Sequence, residues 1–411
     1  MKCNSKIFLL FILVIVVSSG SLYPAEKNPK EEISEIIHGI LYENNREKKF
    51  EYKNRLSSYP YDEVGECWVD TLEKTHVPGI QVQIINYLFE YNDKRFVMPV
   101  AQQLTSPYIA VRKTAGQVLK KMGDDRLYPV ILKMADSPNP VHRIYFIEAM
   151  NFLYDRRFYA SLINMFRDEN KSVRIYVLNC LKENRITESL GLIRNAALGD
   201  KNDQVRIAAI VTLGAFRDAG ASPVLHMILN DKNRDVRLES VRSLSIIGGA
   251  ASVHYLSMRL LAEDDNEIKE LLVDTLAVLK RASDIRGLEK ILLTDPNAGL
   301  RIKSAYVLGF SGSLAALAAL LQGLKDSDYR VRAETCNSLG NYRNRQALAG
   351  LLEVLGKDET VYVKSASLYA IKRINDRSSL PLLFDMYSGE NDPVFKEMLR
   401  EVVRDGMKRF L

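Results

Sequence analysis

The sequence predicts an all-α solenoid, a linear stack of about eleven helical hairpins. Three observations predict this fold. An apolar-basic phrase returns every 30 to 32 residues. The residues that follow each copy at fixed offsets form one apolar stripe of an α-helix. Glycine, asparagine or aspartate then marks the end of that helix, and a second apolar segment follows.

The first observation is the spacing of the apolar residue that opens each phrase, here called the anchor. Eleven anchors are found: Ile80, Val111, Val141, Val173, Val205, Val236, Ile268, Leu300, Val331, Val363 and Val394. Their mean separation is 31.4 residues across more than three hundred residues. Such a narrow period is typical of repeat proteins, in which each unit contacts only its neighbours.

The second and third observations define the hairpin. Apolar or small residues stand four, five and eight positions after each anchor, as Ser240, Val241 and Leu244 stand after Val236. Anchor and followers lie on one face of an α-helix and fit no strand. Near offsets 11 to 13 come helix-ending pairs such as Gly123-Asp124. A shorter second helix is then expected.

Charged residues recur beside the anchors. An aspartate stands five residues before most anchors and a base stands one residue after them. The members are Asp136, Asp168, Asp200, Asp231, Asp295, Asp326 and Asp358, and Arg112, Arg174, Arg206, Arg237, Arg301 and Arg332. Two interpretations stay open: a turn or cap residue before the first helix, or an acid-base ladder between adjacent repeats. One aspartate can serve both roles.

Two stretches, residues 231–244 and 326–340, resemble HEAT repeats, and the short period is similar to the subtype named after phycobilisome lyases. The resemblance covers roughly residues 77–411. It implies a right-handed α-α superhelix of the HEAT and armadillo-like kind. It also implies that second helices line a concave side, where proteins or peptides bind.

Aromatic residues on the second helices are the candidate contacts for such a partner. They are Tyr128, Tyr159, Tyr255 and Tyr387. The alternative is that these rings pack in the core, which is the commoner fate of aromatic side chains in repeats.

The N-terminal residues 1–20 have the layout of a secretory signal peptide, with Lys2 and Lys6 ahead of an apolar run at 7–17. That run of 11 residues is well short of the roughly 20 that span a bilayer. We expect cleavage and a periplasmic or envelope-associated protein. An uncleaved membrane anchor is the alternative, and the only membrane contact the sequence suggests.

Residues 21–76 lack the period and are predicted to form a helical capping region, with helices at 31–43 and 61–75. Its Trp68 is expected to pack over the first repeat. Residues 77–411 form the repeats. Of the cysteines, Cys180 and Cys336 lie on apolar faces five repeats apart, which predicts buried thiols rather than a disulfide.

The sequence predicts no catalytic residue, metal site or cofactor. None of the five histidines is followed by glutamate, and no two lie three or four residues apart. A HEAT-like hydroxylase of the deoxyhypusine type requires repeated His-Glu pairs as metal ligands. Nucleophile and phosphate-loop motifs are also missing. The net charge of +6 is too small to indicate nucleic-acid binding.

The function predicted from these observations is an exported scaffold, not an enzyme, that binds a protein or peptide. The alternative is a lyase-like or accessory enzyme activity on the same fold.

Overall fold

A computed structural model describes residues 28–153, 155–279 and 284–410. Within these ranges the chain forms 24 α-helices and seven short 3₁₀-helices, and no strand. The predicted all-α fold is confirmed. No helix in this part of the chain combines the length and hydropathy needed to cross a bilayer. The predicted signal peptide, and the anchor that is its alternative, lie outside the described residues.

Three helices precede the repeats: α1 (Pro29–Tyr42), α2 (Arg46–Leu56) and α3 (Tyr61–Lys74). Helix α2 was not predicted from the sequence, because it buries only Leu56 and therefore has no apolar stripe. Trp68 on α3 is buried and stacks on Tyr87 of the next helix, with ring centroids 4.7 Å apart. The boundary at residue 76 between capping region and repeats stays a prediction.

The repeats begin with α4, and every even-numbered helix from there is the first helix of a repeat. These helices are α4 (Pro78–Glu90), α6 (Ile109–Met122), α8 (Pro140–Leu153), α10 (Lys171–Glu183), α12 (Asp203–Phe216), α14 (Arg234–Ile247), α16 (Asn266–Val278), α18 (Ala298–Leu308), α20 (Tyr329–Tyr342), α22 (Val361–Ile374) and α24 (Pro393–Phe410).

The odd-numbered helices are the second helices, and most are shorter. They are α5 (Val97–Gln102), α7 (Leu127–Ala135), α9 (Tyr159–Asn164), α11 (Leu190–Gly199), α13 (Ser222–Ile228), α15 (Ser252–Ala262), α17 (Arg286–Thr294), α19 (Leu314–Gly323), α21 (Arg345–Lys357) and α23 (Leu380–Gly389). The described residues thus form ten complete hairpins and an eleventh first helix. The helices belong to two compact units, divided between Asn164 and Met165.

The apolar stripe of each first helix forms the core between neighbouring helices. In α20, Val331, Cys336 and Leu339 are fully buried. The small residue at offset four has a specific use, because Ser240 donates its hydroxyl hydrogen to the carbonyl oxygen of Leu225 on α13, at 2.9 Å. A serine here lets the second helix approach closely and keeps the buried hydroxyl satisfied.

The first helices α6, α12, α20 and α22 each end at a residue in the left-handed conformation. Gly123 (φ 58°) follows α6 and Asn375 (φ 56°) follows α22, both at predicted stops. Arg217 and Arg343 do the same at φ 53° and 48°. The conformation is uncommon for a residue with a Cβ atom, so the sequence marks these two helix ends through the residues that follow, Asp218 and Asn344.

Burial of the cysteines leads to a prediction about reactivity. Cys180 and Cys336 are free and buried, and burial raises the pKa of each thiol to about 12. Because the thiolate is the reactive form, we expect no alkylation of either residue in the folded protein at pH 8. Mass spectrometry after iodoacetamide treatment measures this, with guanidinium-unfolded protein as the control. Rapid labelling of the folded chain contradicts the burial.

Candidate partner-binding face

A ladder of ion pairs joins successive repeats of the second compact unit. In each rung, the base after an anchor on a first helix binds the acid before the next first helix. The six rungs are Arg174–Asp200 (2.7 Å), Arg206–Asp231 (3.1 Å), Arg237–Glu263 (3.0 Å), Lys269–Asp295 (2.8 Å), Arg301–Asp326 (2.8 Å) and Arg332–Asp358 (2.7 Å).

Each acid in the ladder also shapes its own turn. The Asp326 carboxylate accepts hydrogen bonds from Arg301 and from the amide of Asp328, the latter at 2.8 Å. The Asp326 carbonyl oxygen accepts a bond from Nη1 of Arg332, at 2.9 Å. The sequence left open whether such an aspartate serves the turn or the ladder, and Asp326 serves both. Asp328, not Asp326, caps α20 by accepting from the amide of Arg330.

The environment of the ladder shifts the pKa of its acids. Burial by itself disfavours the charged form of Glu263, but hydrogen bonds from Arg237, the amide of Asp265 and Arg259 outweigh it and lower its pKa. Burial likewise opposes ionisation of Asp358, and the bonds from Arg332 and the amide of Thr360 again lower the pKa overall.

These lowered pKa values predict loss of stability in acid. In the unfolded chain the carboxylates take up protons near about pH 4, whereas in the folded chain these carboxylates stay ionised to lower pH. Their contribution is therefore present above that pH and is lost as the pH falls towards the folded pKa. We expect the Tm, followed by circular dichroism, to fall steeply below about pH 4. In Asp358→Asn the fall is expected to be shallower, and a flat Tm in wild type contradicts the prediction.

The third repeat differs from the predicted register by one residue. Arg143, not His142, is buried and donates to the carbonyl oxygens of Ser137 and Pro138, as ladder bases do in other repeats. Ser137 accordingly occupies the turn position expected for Asp136, which is exposed. Arg112 binds Glu148 on α8 instead, at 2.6 Å. Asp136 was assigned to the ladder because it is an aspartate at the expected spacing before Val141. The one-residue shift lies in a loop that contains two prolines.

A similar one-residue shift occurs in α24. Phe395 is 2% exposed whereas Val394 is 70% exposed, so Phe395 is the anchor. Lys396 takes the position of the base and donates to the carbonyl oxygen of Glu390, at 2.9 Å. The predicted anchor Val394 was therefore wrong by one residue.

A second set of inter-repeat contacts, which was not predicted from the sequence, lies at the turns inside the hairpins. There an aspartate accepts a bond from the amide two residues on, as Asp155 does from Arg157 at 2.9 Å. Of these aspartates, Asp218, Asp284 and Asp376 are also bound by a side chain of the preceding repeat, whereas Asp124 and Asp155 are bound by the arginine two residues on. Contacts between neighbours are Arg157–Asp125 (2.8 Å), Arg194–Asp218 (2.7 Å), His254–Asp284 (2.8 Å) and Arg345–Asp376 (3.3 Å). Asp-x-Arg triplets such as 155–157 and 284–286 were the available signal.

The four candidate tyrosines differ in accessibility. Tyr128 is half-buried against Phe158, with the Arg157 guanidinium 5.2 Å from its ring centroid, so packing accounts for it. Tyr159 is also half-buried. Tyr387 is half-buried beside an apolar groove of about 280 Å³ between α23 and α24. Tyr255 is 48% exposed.

In the second unit, α11, α13, α15, α17 and α19 each contact the next one in this series, and the residues that they expose are here called the second-helix face. Its exposed apolar residues are Leu192, Leu198, Met227, Tyr255, Met258, Leu293 and Leu314. These five helices are fully described, and none carries an exposed acid, since their one carboxylate, Glu289, is half-buried. The first helices α10 to α16 expose acids instead: Glu183, Asp235, Glu267, Glu270 and Asp274.

Tyr255 lies near the middle of this face and is held in place by the helix before it. The buried His226 ring stacks on the Tyr255 ring, with centroids 4.0 Å apart and planes 12° from parallel. Nε2 of His226 lies 3.0 Å from the Ser252 hydroxyl. Burial lowers the pKa of His226, which favours a neutral ring. The arrangement is a rigid, half-exposed aromatic platform.

Comparison with known protein families identifies the repeats. The family model described as HEAT repeats matches residues 97–182, 159–237, 191–277, 285–372 and 317–404. Together these matches span most of α5 to α24.

Two curated proteins match parts of the chain. A deoxyhypusine hydroxylase from Arabidopsis thaliana is 27% identical over 198 residues, covering 39% of this chain and 63% of the hydroxylase. The bilin biosynthesis protein MpeU from Synechococcus sp. (strain WH8020) is 32% identical over 111 residues, covering 26% of this chain and 37% of MpeU. The chain thus spans less than two thirds of either relative.

Solved structures of karyopherins have a similar fold. Kap121p bound to the extreme C-terminus of the protein phosphatase Cdc14p matches 99% of this chain and 55% of Kap121p, with 12% identity and a TM-score of 0.53. A Kap95p structure with RanGDP matches 92% of this chain and 60% of the other, with 12% identity and a TM-score of 0.51. At this identity the similarity shows the fold alone.

Proposed function

The chain belongs to the HEAT-repeat family, and from this premise we propose that it is a scaffold that binds a protein or peptide through its second-helix face. The observation that carries the proposal is the row of exposed apolar residues on five successive second helices. The first helices α10 to α18 expose four large apolar side chains (Tyr176, Ile246, Val278 and Tyr306), against seven on these second helices. A row of exposed apolar residues on adjacent helices is typical of an interaction surface. The karyopherin structures, whose partners include a phosphatase C-terminus, support this use of the fold.

The test compares two faces with equal changes of charge. The variant Leu192→Asp/Leu293→Asp alters the second-helix face, and Tyr176→Asp/Ile246→Asp alters the first helices at similarly exposed positions. Affinity purification from cell-envelope fractions with the wild-type chain is expected to recover one protein in stoichiometric amount. The first variant is expected to lose it and the second to retain it. Equal retention or equal loss in the two folded variants contradicts the proposal.

We also propose that this scaffold is exported to the periplasm or cell envelope, on the basis of the N-terminal sequence pattern alone. Cell fractionation and N-terminal sequencing are expected to find an envelope protein whose first residue lies near position 21. Recovery in the cytosol with residues 1–20 retained contradicts this.

The names of the two curated relatives favour the alternative, a lyase-like or accessory enzyme activity. Within residues 28–153, 155–279 and 284–410, no three or more His, Cys, Asp or Glu side chains are grouped so as to hold a metal ion. The residues present therefore do not fit a metal-dependent hydroxylase. Turnover of a small molecule by the purified chain alone decides in favour of the alternative.

A further inference from the structure

We propose that the middle of the second-helix face binds a peptide segment in which an acidic residue stands close to a leucine, methionine or aromatic residue. The inference rests on the proposed function and names the chemistry of the partner. The surface concerned, here called the Tyr255 patch, comprises Met227 on α13, His254, Tyr255 and Met258 on α15, and Arg286 and Lys290 on α17.

The first argument is that Tyr255 is ordered before a partner arrives. Its ring lies on the His226 ring, which the Ser252 hydroxyl fixes in turn. About half of the Tyr255 side chain still faces solvent. Binding costs less when a contact residue has little rotamer freedom left to lose. Rigid tyrosines of this kind are frequent among residues that dominate binding energy.

The second argument is the apolar surface beside the ring. Met227 is 63% exposed and Met258 is 42% exposed. Methionine side chains are flexible and polarisable, so they adapt to leucine, methionine or aromatic side chains of a partner. Together with Tyr255 they offer apolar contact on two adjacent second helices.

The third argument is the sign of the charge. The exposed ionisable side chains at the patch are Arg286 and His254, with 57% and 58% of their side chains exposed, and Lys290. The acid among them, Asp284, is 11% exposed and already accepts bonds from Arg286, His254 and the Ser257 hydroxyl. The patch therefore presents positive charge without an exposed carboxylate, and a partner's carboxylate completes it.

The fourth argument is the contrast with the rest of the unit. The first helices α14 and α16 expose Asp235, Glu267, Glu270 and Asp274. Those acids are paired with Arg234, Arg242 and Lys303, so the first helices present charges of both signs, whereas the exposed charges of the Tyr255 patch are basic. The attraction that directs an acidic segment to this unit therefore comes from the Tyr255 patch.

The experiment selects binders from a display library of random peptides with the full chain and measures the affinity of the synthetic winners by fluorescence anisotropy. We expect acidic residues close to leucine, methionine or aromatic residues to be enriched. Tyr255→Ala and Lys290→Glu are each expected to weaken binding about tenfold or more. The matched controls Tyr306→Ala and Lys325→Glu, at exposed positions outside the patch, are expected to leave it unchanged.

The outcomes separate this inference from the proposed function. Peptides whose binding is lost in Leu192→Asp/Leu293→Asp but unaffected by Tyr255→Ala and Lys290→Glu overturn the inference and leave the scaffold proposal standing. Enrichment of basic peptides also overturns it. Vesicles containing phosphatidylglycerol that bind the patch in place of every peptide overturn it in favour of a lipid surface. Peptides that bind only away from the second-helix face overturn both proposals.

Discussion

Leu308→Asp is expected to abolish cooperative unfolding of the second compact unit. Leu308 is fully buried, eight residues after the anchor Leu300 on α18. Removing a buried leucine side chain costs about 2–5 kcal/mol, and placing a carboxylate among apolar neighbours adds several more. The sum is comparable with the whole stability of a typical domain, about 5–15 kcal/mol.

Thermal melting followed by circular dichroism measures the effect. The matched control is Leu314→Asp, where the same change is made at a side chain that is 71% exposed on α19. That variant is expected to melt like wild type. If the two variants melt alike, the repeat register in α18 is wrong.

Arg174→Met is expected to lower the free energy of unfolding by about 3–5 kcal/mol, because it leaves a buried carboxylate without its cation. The Arg174 and Asp200 side chains are 4% and 10% exposed, and two guanidinium nitrogens reach the carboxylate at 2.7 and 2.8 Å. The double variant Arg174→Met/Asp200→Asn is expected to recover much of the loss. The asparagine carries no charge and its side-chain oxygen still accepts the bond from the amide of Asn202.

Urea unfolding of the single and double variants provides the measurement. Arg157→Met is the control, since its guanidinium is 52% exposed, its partners Asp125 and Asp155 are 92% and 26% exposed, and exposed ion pairs contribute little. A loss in Arg174→Met no larger than in this control shows that the ladder does not stabilise the stack.

The fold could be predicted from the sequence because each hairpin must bury the same stripe against its neighbours. Burial therefore repeats with the anchors, from Ile84 in α4 to Leu399 in α24. The exact register could not be predicted everywhere. In the third repeat, apolar Val141 satisfied the pattern although the buried base is Arg143, one residue later than expected. A helical stripe tolerates a shift of one residue, so hydrophobicity alone does not detect it.

The candidate site was less predictable, because accessibility depends on tertiary packing. Tyr128 and Tyr255 occupy similar places in the sequence of their second helices. Only the structure shows that Phe158 and Arg157 cover the first while His226 supports the second from one side. The lack of exposed acids on the five second helices can be seen in the sequence once the helices are assigned. No sequence motif indicates it beforehand.

The ladder has a consequence for how such an array changes length. Each repeat inside the ladder supplies one cation to the repeat after it and one carboxylate to the repeat before it, as Arg301 and Asp295 do for the repeat that contains α18. When a whole repeat is duplicated or deleted, the cation and the carboxylate on either side of the change can pair with each other. No charge is then left without a partner. Gene rearrangement by whole repeats is thus electrostatically neutral, whereas loss of half a repeat is not.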